Sequence, residues 1–99
     1  MAMFLVTVRR DGPRWDHERP IEGHEGFAEH VAFLTALLDA GTIVLGGPLE
    51  DDRVIYAAHA ESAGEVRSAF ASDPWETGGL VRLQSVEPWT VRLDATRRY

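Results

Sequence analysis

The hydrophobic period along this 99-residue chain switches between 2 and 3.6, and the order of the switches constrains the fold more than any other feature. Met3–Arg9 alternates, with Phe4, Val6 and Val8 on one face and Leu5, Thr7 and Arg9 on the other, which predicts a strand. Asp11–Gly26 breaks the periodicity with prolines, glycines and charges and reads as a long loop. Loops beyond about 12–15 residues are uncommon unless they carry function, so this one is a candidate for a functional role. From Phe27 to Ala40 the period becomes helical: Phe27, His30, Val31, Leu34, Leu37 and Leu38 share a stripe, and Gly41 stands where a left-handed residue would end the helix. Thr42–Leu45 reads as a strand stopping at Gly46-Gly47-Pro48. Glu50-Asp51-Asp52 reads as a polar turn, and Arg53–His59 as the second arm of a hairpin. Ser62-Ala63-Gly64-Glu65 is a capping-box signature, and Val66, Ala69 and Phe70 give a second helix its apolar stripe. Pro74 disfavours helical geometry at Asp73 and ends that helix about there. Leu80–Ser85 reads as a strand that Glu87-Pro88 bends. Trp89–Leu93 reads as a short added strand leading to a basic tail.

The order βαββαβ is the ferredoxin-like plan of the α+β class: an antiparallel sheet with two helices on one face. Residues 1–99 then form a single domain. Both faces of the first and third strands are apolar, with Phe4, Val6 and Val8 against Leu5, and Val54, Tyr56 and Ala58 against Ile55 and Ala57. Two helices cover only one face, so the other is expected to meet a second copy in a homodimer; a monomer with a moderately apolar sheet face is the alternative.

Composition excludes several function classes. With no cysteine there is no disulfide framework, thiolate metal site or thiol nucleophile, and with no lysine there is no Schiff-base or P-loop chemistry. A net charge of −6 argues against a nucleic-acid partner. No apolar run reaches the roughly 18 residues of a membrane span, and the start is too quickly charged for a signal peptide. A cytoplasmic location, with neither nucleic acid nor membrane as partner, is the expectation.

The same topology gathers candidate residues at one edge of the sheet. The long loop, the start of the first helix with His30, the Gly46-Gly47-Pro48 turn and Asp73-Pro74-Trp75 converge there. His30 and Asp73 form a candidate dyad, in which the carboxylate orients the imidazole as general acid or base. A neutral histidine with a bonded Nδ1–H is also a frequent core residue. Arg9, Arg10 and Arg14 flank the loop and could bind an anionic substrate or simply be solvated. Trp15, Trp75 and Trp89 could line a pocket for a flat molecule or pack a thin core. Trp15 beside Arg14 suits a flat anion, which makes the loop a candidate wall or lid. Gly47 would let backbone approach a ligand closely. Asp16, His17, Glu18, Glu22 and His24 crowd the loop, but their spacing matches no metal motif. Neither a metal nor a cofactor is expected.

Five segments together resemble the YCII-related (YciI-like) family over nearly the whole chain. They are Asp11-Gly12-Pro13-Arg14-Trp15-Asp16, Glu29-His30-Val31-Ala32-Phe33-Leu34, Val44-Leu45-Gly46-Gly47-Pro48-Leu49, Asp73-Pro74-Trp75 and Val86-Glu87-Pro88-Trp89-Thr90. The resemblance implies a dimeric α+β barrel of ferredoxin-like protomers and an active-site histidine–aspartate pair falling on His30 and Asp73. It further implies lyase- or isomerase-type acid–base chemistry on a small, activated cyclic compound. From the edge itself, and not from the resemblance, Arg14, Trp15, Gly47, Pro48 and Trp75 are the candidate substrate contacts. Some members of the family are accessory or fused domains, so a dimeric module that holds a small ligand without turnover is the alternative.

Overall fold

A computed structural model describes residues 1–95. Its elements run β1 (Ala2–Arg9), α1 (Phe27–Asp39), β2 (Ile43–Pro48), β3 (Arg53–Ala60), α2 (Ala63–Ala71), α3 (Pro74–Thr77) and β4 (Arg82–Pro88). The strands form one antiparallel sheet in the order β2-β3-β1-β4, the α+β, ferredoxin-like arrangement. Register explains the core. Phe4, Val6 and Val8 stand opposite Ala58, Tyr56 and Val54, all buried on the side that receives Val66 and Phe70 of α2. No helix among the described residues is long and apolar enough to cross a membrane.

Local chemistry sets the helix ends. Gly41, at φ 81°, donates its N–H to Leu38 O while Thr42 N–H reaches Leu37 O, a Schellman stop that releases the chain into β2. Ser62 caps α2 by accepting from Glu65 N–H, and the Glu65 carboxylate accepts from Glu61 N–H, one residue earlier than a simple capping box places it.

Four expectations change. The glycines lie within β2 rather than ending it, because Gly46 sits against the Tyr56 ring, where a Cβ would run into Tyr56 Cδ1. Leu80 and Val81 precede β4, since their N–H groups bond back to Trp75 O. Pro88, which has no N–H to give a ladder, closes β4 on a sheet edge instead of bending it earlier. Trp89–Leu93 forms no regular strand, although Trp89 N–H still reaches Met3 O. The end of the basic tail lies outside the described residues.

Candidate functional site

Asp73 is the residue whose local role differs most from expectation. It does not merely end α2; it caps α3, with Pro74 in the first helical position, where a missing N–H costs nothing. Its Oδ1 accepts the Trp75 N–H at 2.9 Å and, at 2.8 Å, the Nδ1–H of His30 from α1. Both side chains are nine-tenths or more buried. A carboxylate that is already accepting a backbone hydrogen obliges His30 to donate from Nδ1, which leaves the Nε2 lone pair. Nε2 has no hydrogen-bond partner among the described residues.

Trp75 organises the surroundings. It is 1% exposed, stacks on the His30 ring at 4.0 Å, and donates Nε1–H to Glu25 O at 2.8 Å. That bond pins the end of the long loop, where Gly26 turns the chain at φ 79° into α1. A cleft of about 420 Å³ opens beside Trp75, lined among others by Arg14, Asp16, Arg19, His24 and Glu25. His30 is not one of its lining residues; Trp75 touches both.

The other candidates separate into two groups. Trp15 meets the edge of Trp75 at 5.6 Å and packs against the core, and Arg14 lines the cleft, its exposed guanidinium 3.9 Å from Glu25. Gly47 and Pro48 do not join them. Gly47 pairs with Ile55 on the sheet face away from the helices, and nothing lies within 4 Å of where its Cβ would be. The acidic and histidine side chains of the loop do not gather either. Among the described residues no three His, Asp or Glu side chains are placed to hold one metal ion.

Three neighbours of the dyad carry more weight than their sequence context indicated. His24 is buried and stacks on Trp15 at 3.9 Å. Tyr56 is 7% exposed, and its phenol is pushed up to about 12 by burial first and then by the Asp73 charge, with Arg10 opposing. Arg10 lies half-buried with its guanidinium 5.6 Å over the Trp15 ring, and desolvation lowers its pKa. The available sequence signal was a tyrosine on the core face of a central strand, in line with Val54 and Ala58, where a hydroxyl must find a use. Against models of known protein families the chain has no match, and no curated protein matches it.

Proposed function

We propose that this chain is a YciI-like enzyme in which His30 moves a proton on a small, anionic cyclic substrate while Asp73 orients the ring. The observation that carries the reading is the 2.8 Å Nδ1–H bond to a carboxylate that also caps α3, with Nε2 left unpartnered among the described residues. Asp73 fixes the ring orientation and favours the imidazolium once Nε2 has taken a proton. The strand order and the Asp73-Pro74-Trp75 turn support the family reading. A pH titration of the His30 ring by NMR tests it. The His30 ring resonances should respond to pH, and that response should change in Asp73→Asn, where the carboxylate behind Nδ1 is gone. A ring that never titrates, or one indifferent to Asp73→Asn, overturns the reading.

The same proposal includes a homodimer. The face of the sheet away from the helices carries the half-buried Leu5 and Ile55, flanked by Leu45 at 66% exposure, while Ala57 between them is already buried. Past β4, Trp89 and Leu93 are exposed apolar residues. Covering this surface with a second copy buries it. Sedimentation should give twice the 11.0 kDa protomer mass, and Leu5→Arg should return the protomer, because it places an unpaired charge in the interface.

A further inference from the structure

Carboxylates outnumber arginines in this chain, 16 to 10. Accordingly Arg9, Arg14, Arg53 and Arg82, all at the edge where β1 ends, each pair with an acidic side chain. Arg10 is the exception. It is half-buried, yet among the described residues it forms no ion pair and no side-chain hydrogen bond, and rests only over Trp15. The Tyr56 hydroxyl is in the same condition: the residue is more than nine-tenths buried, with no hydrogen bond to its oxygen among the described residues. Arg9 Nε is the one sealed side-chain polar atom without a partner among those residues, so the Tyr56 hydroxyl and His30 Nε2 both keep a path to solvent. Folding alone favours pairing such groups, because each costs free energy when desolvated and left unbonded.

Two chains of contact link these groups to the dyad. Alternation along β1 carries Phe4, Val6 and Val8 to the helix side and, one step past the strand, Arg10 with them. Tyr56 faces the same side from β3 and packs on Phe70 at 5.1 Å, and Phe70 O accepts the Asp73 N–H. From the other direction Arg10 lies on Trp15, Trp15 meets Trp75, and Trp75 stacks on His30. The perturbed phenol agrees with this arrangement: it responds to Asp73 and to Arg10 and stays a hydrogen-bond donor at neutral pH.

We infer that Arg10 and Tyr56 form an anion-binding pair beside the His30–Asp73 dyad, built for the carboxylate or enolate oxygen of a flat molecule. The guanidinium supplies charge and the hydroxyl a directional donor, while Trp15, held between His24 and Arg10, fixes where the guanidinium sits. The catalytic use rests on the acid–base reading of His30. When Nε2 takes a proton from a carbon beside a carbonyl, the C–H electron pair becomes the C=C bond of an enolate and the carbonyl π pair moves onto oxygen; that oxyanion is the species the pair would hold.

Benzoate, with benzamide as its neutral counterpart, probes the pair by NMR on the full chain. Benzoate should move the Trp15 indole N–H and the His30 ring resonances, and benzamide should not. Arg10→Gln and Tyr56→Phe should each weaken benzoate binding by about tenfold, the loss of one hydrogen bond to a charged group, while Arg10→Lys retains part of it. Thermal melts close to that of the parent protein establish that the variants fold. Equal shifts from benzamide, no shift from benzoate, or undiminished binding in both variants overturns the pair. Its failure is separable from that of the dyad: benzoate binding that depends on Arg10 and Tyr56, in a protein whose His30 never titrates, retains the anion site and removes the acid–base role.

Discussion

His24 and His30 form a natural pair for comparison. Each is more than nine-tenths buried. Each lies flat on a tryptophan, His24 on Trp15 at 3.9 Å and His30 on Trp75 at 4.0 Å. Each donates from Nδ1, His24 to Pro20 O at 3.0 Å and His30 to Asp73 at 2.8 Å. They part at the second nitrogen. His24 Nε2 accepts the Asp16 N–H at 3.2 Å, so its ring is a fully bonded staple across the loop, whereas His30 Nε2 is unpartnered among the described residues. Burial and stacking therefore do not distinguish the two histidines. The unused nitrogen, and a carboxylate rather than a carbonyl behind the used one, do.

The largest test of that contrast removes what stands behind His30. Asp73→Ala deletes the cap of α3 and leaves a buried imidazole N–H unbonded, so chemical denaturation should show a loss of about 3 kcal/mol. Asp73→Asn, which keeps an acceptor for Trp75 N–H, should lose less.

Tyr56 sets the His30 side apart at alkaline pH. Its phenol ionises at about 12 in the folded chain against about 10 unfolded, so the unfolded state releases its proton first and stability falls between those values. The fall should be about 2–3 kcal/mol for the two-unit shift and should be absent from Tyr56→Phe.

His24→Phe keeps a flat ring on Trp15 but leaves the Asp16 N–H without its acceptor, and should cost about 1 kcal/mol. Hydrogen exchange at the Asp16 amide should therefore be faster in His24→Phe than in the parent protein at the same pH. His30→Phe leaves the Trp75 N–H bonded to Asp73, and that amide should stay protected. Similar losses of amide protection in the two variants would abolish the distinction between the rings.

The smallest effect separates adjacent glycines. Gly46→Ala should displace the Tyr56 ring and alter the His30 resonances, whereas Gly47→Ala, with open space where its Cβ would go, should change stability by less than about 0.5 kcal/mol and move neither histidine.

Much of the fold was legible because its signals are local. Alternation at Phe4, Val6 and Val8, the helix with Gly41 behind it, and the Ser62 cap each act within a few residues, and the structure keeps all three; of the predicted helical stripe, Val31 and Leu38 are exposed. The misread boundaries fall where a distant contact overrode a local preference. Gly46 looks like a strand breaker until the Tyr56 ring requires the space, and Leu80 and Val81 look like strand until they close α3. Asp73 before Pro74 carried a local signature of a helix start as well as of a stop, and only the second was read.

The candidate site divides the same way. The sequence by itself determined the order of elements, the sheet edge at which His30 and Asp73 meet, and the kinds of group available there. Tertiary structure alone decided which nitrogen of which histidine is left over, that Gly47 faces away from the helices, and that Arg10 and the Tyr56 hydroxyl find no hydrogen-bonding side chain among the described residues. The physical reason is range. Periodicity and caps are settled by neighbours a few residues away, whereas the satisfaction of a buried polar atom depends on partners tens of residues distant, 43 between His30 and Asp73, which only the packed chain brings within hydrogen-bond reach.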